Sequence, residues 1–268
     1  MVMNIVNYTP IRIFTNAATI PRVLTNAAFI CASLMFAVPT ARAATKTWDG
    51  GAGTSNWADG NNWNANGVPT SSDAIWLITA VPQITALNGG VCGRFLVDGP
   101  CSPTLLTHAG ASQAVIGLYG ASVNSANTGS LVYLGPSATA AVTLDNVIFR
   151  LHTSGEWKIE TGKTLRFSNG HVTESGQRSL TKSGGGTLVL DGPCSHTGQT
   201  EITAGTLALG PSGNLAQTAW IALYPGATSD VSALPGGFTF TNGFHLAAGA
   251  AVPPASQRDQ VPDYLRRA

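Results

Sequence analysis

The chain alternates short apolar runs with Gly, Pro and Asn, and one local pattern recurs: Gly, a hydroxyl residue, Leu, any residue, then a large apolar one. It stands at Gly129-Ser130-Leu131-Val132-Tyr133, at Thr164-Leu165-Arg166-Phe167 two residues after Gly162, at Gly186-Thr187-Leu188-Val189-Leu190 and at Gly205-Thr206-Leu207-Ala208-Leu209. The last two copies lie 19 positions apart and the preceding one 23 positions back. A period near 20 residues is the mark of a solenoid. In a strand, side chains alternate between faces, so Leu188 and Leu190 point one way and Thr187 and Val189 the other. One such strand cannot bury its Leu face alone. If each coil lies on the last, Leu188 meets Leu207 and Leu190 meets Leu209, and each buried Leu contributes about 1.5–3 kcal/mol. Parallel neighbours then satisfy one another's backbone groups. An antiparallel sandwich also uses short strands and turns, but the near-constant spacing of similar strands argues against it. No helical period is visible. The expected architecture is all-β, a parallel β-solenoid over residues 86–250 with its clearest repeat at 180–210, followed by a polar tail at 251–268.

Ahead of the solenoid, residues 44–85 form a Trp-rich segment. It holds four of the six tryptophans, in Trp48-Asp49-Gly50-Gly51, Asn56-Trp57, Asn62-Trp63 and, after Pro69 and Asp73, Trp76. The Gly, Asn and Asp residues between them force turns. Two roles are open: an aromatic sugar-binding platform, with Trp57 and Trp63 as candidate ligand contacts, or a cap whose indoles cover the open end of the stack. The need of solenoid ends for a cover favours the cap.

Residues 1–43 read differently again. Arg12 and Arg22 supply positive charge, an apolar run extends from Val23 to Val38 with Thr25 and Asn26 inside it, and Ala41-Arg42-Ala43 follows. This is the layout of a secretory signal, and the run falls short of the roughly 20 residues of a spanning helix. Cleavage after Ala43 is expected, giving an exported chain that starts at Ala44 with no membrane span.

Composition narrows the function. Only 10% of residues are charged and the formal net charge is +1, with the basic residues scattered, so no nucleic-acid partner is expected. Cys31 lies in the leader. In an oxidising compartment Cys92 and Cys101 are a candidate disulfide, leaving Cys194 odd; three buried free thiols are the equal alternative. No C-x-x-C and no histidine pair at ligand spacing occurs, so no metal is expected.

Residues 180–210, from Leu180-Thr181-Lys182-Ser183 through Gly186-Thr187-Leu188-Val189-Leu190 and Thr197-Gly198-Gln199-Thr200 to Gly205-Thr206-Leu207-Ala208-Leu209-Gly210, resemble the autotransporter-associated β-strand repeat of secreted bacterial proteins. The opening Trp48-Asp49-Gly50-Gly51, Asn62-Trp63, Pro69 and Asp73 is similar to the start of such proteins. The resemblance implies a right-handed parallel β-helix, exported and displayed at the cell surface, without catalytic residues or cofactors. Cys194 stands where the repeat has Asn, and His196 where it has Tyr. The 58 residues after Gly210 are too few for a membrane barrel. The expected chain is freely secreted, partner-held or truncated.

Searches for chemistry find little. Gly162-Lys163-Thr164 lacks the upstream Gly of a phosphate loop, that position being Trp157. Ser179-Leu180-Thr181-Lys182 has the serine-x-x-lysine spacing without its companion motifs. His108, His152, His171, His196 and His245 are read as loop or coil-surface residues. A polysaccharide-cleaving β-helix would need carboxylates clustered on adjacent coils; Asp145, Glu156, Glu160, Glu174, Asp191 and Glu201 are its candidates, none in a dense pair. A structural or adhesive surface protein is therefore expected, with a non-catalytic carbohydrate-binding module as the alternative. Surface polysaccharide or other envelope proteins are the expected partners.

Overall fold

The computed structural model describes residues 45–86, 89–120, 129–238 and 245–249; the leader at 1–43 and the tail at 251–268 lie outside them. The described chain is a parallel β-solenoid of about seven coils. The first sheet has ten strands, among them Ala74–Leu77, Arg94–Val97, Val132–Leu134, Gly155–Ile159, Leu180–Ser183, Thr200–Ile202, Trp220–Leu223 and His245–Ala248. The second has seven: Ile84–Thr85, Thr104–Thr107, Ala141–Asp145, Thr164–Ser168, Thr187–Leu190, Thr206–Leu209 and Thr228–Asp230. The third has four: Gly90–Cys92, Ala114–Leu118, Val147–Leu151 and His171–Glu174.

The leucine stack forms in the register the spacing predicts. Leu165 pairs with Leu188 and Leu188 with Leu207; Phe167 pairs with Leu190 and Leu190 with Leu209. All six are buried. The outward positions carry their own ladder, Thr164, Thr187, Thr206 and Thr228, one above another. Threonine suits a pleated, half-buried surface, and stacked hydroxyl pairs add to the sheet.

The earliest copy of the pattern behaves differently. Val132 and Tyr133 belong to the first sheet, opposite Phe95 and Leu96, whereas the coil below Thr164–Ser168 is Ala141–Asp145. The pattern at 129–133 marks a strand, but one in the first sheet rather than in the second-sheet stack of the later copies. Every inward strand of a solenoid presents the same alternation, so the pattern alone does not distinguish faces.

Corners follow from backbone chemistry. Asn146, at φ 57°, is the single residue between a second-sheet and a third-sheet strand, and Asn169, at φ 50°, opens the same corner one coil on. Asparagine tolerates this left-handed region because its short amide bonds locally. Asn146 Nδ2–H donates to the carbonyls of His108 and Gly110, both at 2.9 Å, and Asn169 Nδ2–H to Asp145 at 3.0 Å. At Gly205, φ is 68° and a Cβ would strike the carbonyl oxygens of Gly184 and Gly186 one coil back, so the coils close there only on glycine.

The N-terminal segment covers the open end of both long sheets. Thr45–Trp48 pairs in parallel with Ala74–Leu77, and Trp63–Asn64 pairs antiparallel on its outer side. Beside the second sheet, Trp57 N–H donates to Thr85 O at 2.9 Å and Thr85 N–H to Ser55 O at 2.7 Å. Edge backbone groups that would template aggregation are thereby paired. The strands Ala74–Leu77 and Ile84–Thr85 already belong to the coil sheets, so coiling starts inside the segment at 44–85.

Candidate functional site on the stacked repeat

The two coils built from residues 180–210 hold four of the eight buried polar residues among those described, Lys182, His196, Thr200 and Glu201. Lys182 occupies an inward position, in line with Trp157 and Ile202, and is 0% exposed. A buried ammonium needs partners for its three donors. Lys182 Nζ donates to the carbonyls of Ser183 at 2.7 Å, Gly184 at 2.8 Å and Ala204 at 3.1 Å. The lysine thus ties the corner of one coil to that of the next. Loss of solvation pushes its pKa down to about 8.

His196 is the second unexpected core residue. The sequence reads it as a loop or coil-surface residue; it does lie in the loop between Thr187–Leu190 and Thr200–Ile202, but it is 0% exposed. Its Nε2 lies 2.8 Å from Thr200 Oγ1, which lies 3.0 Å from Thr218 Oγ1, which donates to Gly198 O at 2.6 Å. Each hydroxyl has one proton. Thr218 gives its proton to Gly198, so Thr200 donates to Thr218 and His196 Nε2–H donates to Thr200. The imidazole is therefore the Nε2–H tautomer, and its buried Nδ1 has no partner. Protonating Nδ1 would create a buried, unsatisfied donor. Desolvation pushes the His196 pKa down to about 4, against a smaller upward pull from Glu174.

The carboxylates considered for catalysis serve as ties. Glu156 accepts from Ser130 Oγ–H at 2.7 Å and from Ser183 Oγ–H at 2.6 Å, linking residues on either side of its own coil. Glu174 accepts from Thr197 N–H at 2.8 Å, from the Thr197 hydroxyl and from Arg178 N–H. Asp191 pairs with Arg166 at 2.6 Å and Glu160 with Lys158 at 2.7 Å. Thr181 stands between Glu156 and Glu201 in register, its hydroxyl 3.4 Å from Glu201. Among the described residues no three His, Cys, Asp or Glu side chains are grouped to hold a metal ion.

Trp57 and Trp63 are 0% exposed. Trp48 and Trp57 each meet Trp63 edge to face with centroids 5.0 Å apart, and Trp63 Nε1–H donates to Trp57 O at 2.9 Å. Neither indole leaves a face for a sugar to stack on, which removes these two residues as a binding platform; their apolar area goes into covering the first coil. Cys92, Cys101 and Cys194 stand as free thiols, so the bridge between Cys92 and Cys101 is not formed. Burial raises the pKa of Cys92, with Asp73 adding to the rise, and pushes Cys194 up to about 12. A thiol so held is a poor nucleophile.

Residues 180–209 match the family model described as passenger-associated-transport-repeat. Neither the curated proteins nor the solved structures contain a match to the chain. The matched stretch coincides with the resemblance read from the sequence and with two stacked coils of the structure. The chain thus carries one passenger-associated-transport-repeat, set within a parallel β-solenoid. Among the described residues no helix is long and apolar enough to cross a membrane.

Proposed function

We propose that this protein is exported to the bacterial surface and acts there as a non-catalytic structural or adhesive solenoid. One observation carries the reading: the passenger repeat at 180–209 is continuous, in register, with the coils before and after it. A passenger repeat belongs to chains that leave the cell, and a regular stack offers an extended surface rather than a cleft. The candidate acids support the non-catalytic part, because Glu156, Glu174 and Asp191 spend their lone pairs on neighbouring coils. Glycoside cleavage requires two carboxylates free to face one bond.

Producing cells labelled with antibody against the solenoid should stain without permeabilisation, and external protease should remove the stain. The mature chain should begin at Ala44 by mass spectrometry. A chain retained inside cells with residues 1–43 attached would overturn export. Incubation with plant and bacterial polysaccharides should release no new reducing ends. A release that Glu156→Gln abolishes would overturn the non-catalytic assignment.

A further inference from the structure

The outer face of the third sheet carries a groove that the scaffold does not require. Val91, Gly117, Arg150 and Thr173 pair in register along one row. Their neighbours Ile116, Leu118, Phe149 and Leu151 are buried, so alternation turns Gly117 and Arg150 outward. With no side chain at Gly117, the row has a gap.

Two rings wall that gap. Tyr119 N–H donates to Cys92 O at 3.0 Å and His152 N–H to Leu118 O at 2.9 Å. The two residues therefore occupy equivalent positions on successive coils, and their rings stack with centroids 3.8 Å apart and planes 9° from parallel. A Cβ on Gly117 would come within 2.9 Å of the Tyr119 ring, so glycine is what lets the phenol lie over the sheet. Gly89, Gly90 and Val68 close the other side of a hollow of about 470 Å³, inside the range of about 300–1,000 Å³ seen for ligand sites. Tyr119 is 40% and Val68 39% exposed, two of four large hydrophobics left in solvent among the described residues. Arg150 is exposed. Among the described residues the ion pairs are Lys158–Glu160 and Arg166–Asp191, and no carboxylate lines the groove. Burial, and then the Arg150 and Arg178 guanidiniums, hold His152 below its usual pKa; it remains a neutral hydrogen-bonding group at neutral pH.

We propose that this groove binds an acidic sugar of a surface polysaccharide, with the C–H face of a uronic-acid ring on Tyr119 and its carboxylate on Arg150. The chemistry selects that class. The part of the Tyr119 ring left in solvent beside its stack on His152 suits a flat ring with an apolar side. A planar guanidinium with no ion pair among the described residues suits a carboxylate, which it grips with two parallel hydrogen bonds. A neutral sugar would leave that guanidinium unused. The assignment deepens the surface role proposed above and rests on it, since a chain inside the cell would not meet such a polymer.

Isothermal titration of the purified chain with polygalacturonate, and with dextran as the neutral control, tests the site. Saturable binding to polygalacturonate and none to dextran is expected. Arg150→Gln should weaken binding about tenfold or more, with Arg150→Lys recovering part of it, as loss of a charge-assisted hydrogen bond predicts. Tyr119→Ala should weaken it by a similar factor. Both side chains project outward, so melting temperatures should stay at the parent value, which separates lost recognition from lost folding. Absent binding, equal binding to dextran, or binding unchanged in both variants would overturn the site. Such a result leaves the surface staining untouched, whereas intracellular retention would sink the surface role and leave the titration as measured.

Discussion

The coils between residues 90 and 174 and those between 180 and 230 solve the same packing problem in different ways. The earlier coils have a third sheet, and its inward face joins a cluster of large rings. Phe149 sits edge to face with Phe95, Phe167 and Trp157, at 5.3, 5.1 and 5.9 Å. In the later coils no described strand continues that sheet beyond Glu174. Residues 191–199 cross by a loop, held by the bridge between Pro193 and Asn214. There the filling is Leu188, Leu190, Leu207 and Leu209, with Lys182, His196, Thr200 and Thr218 buried among them. The stacked first-sheet strands also draw closer in sequence, 25 residues from 155 to 180, then 20 to 200 and 21 to 221, while the second-sheet steps are 23, 19 and 22 from 164 to 187, 206 and 228. A shorter coil encloses less volume, and protein interiors fill to a nearly constant density. Aromatic side chains belong to the wide coils and Leu with small hydroxyl residues to the narrow ones, and loss of the third strand goes with the change of filler.

The largest effect should come from Leu188→Asp, which places an unpaired carboxylate between Leu165 and Leu207. Loss of the β-sheet circular dichroism signal is expected, at a cost above about 4 kcal/mol; an unchanged spectrum would refute the stacked core. Next, Phe149→Ala should cost about 3–5 kcal/mol in urea unfolding, because three neighbouring rings lose their partner and the wide coil cannot collapse. If Phe149→Ala cost less than Leu190→Ala, the link between coil width and aromatic filling would fail.

The polar core of the narrow coils should show itself through pH. Unfolded His196 takes up a proton below about 6.5, and folded His196 only below about 4. The unfolded state binds more protons in between, so stability should fall as pH drops from 6.5 to 4, by up to about 3 kcal/mol. Urea midpoints across that window should lose most of this slope in His196→Gln. Lys182 has the same sign at alkaline pH: its folded pKa lies below the usual 10.5, at about 8, so stability should rise from pH 8 towards 10.5 and level off beyond. The smallest effect should be Lys182→Met, within about 1.5 kcal/mol of the parent at neutral pH, since a buried cation and a shape-matched apolar chain are nearly equivalent. A much larger loss would mean that the three carbonyls it ties cannot find other partners.

Parts of this molecule were legible without coordinates. The spacing of Thr187-Leu188-Val189-Leu190 and Thr206-Leu207-Ala208-Leu209 determines which residues stack, because alternation and coil length leave one register that buries every leucine. For Trp57 and Trp63 the sequence favours a cap over a platform only through the need of a solenoid end for a cover, since an indole has the same composition buried or exposed. Lys182 and His196 were not legible as core residues, because a charged or polar type in a loop-rich segment is ordinarily solvated. One signal was present for Lys182: it falls on the same strand parity as the inward Leu180.

Strand alternation and the solenoid were readable from the residues alone, since these depend on local backbone preference and on a repeat that carries its own partner. The tertiary structure was needed to show which face received the strand at 132–134, that no described strand continues the third sheet beyond Glu174, and that Tyr119, His152 and Arg150 meet around Gly117. Those outcomes depend on how far each coil travels before returning. That distance is the sum of turns spread over twenty or more residues, and no single stretch of the chain encodes it.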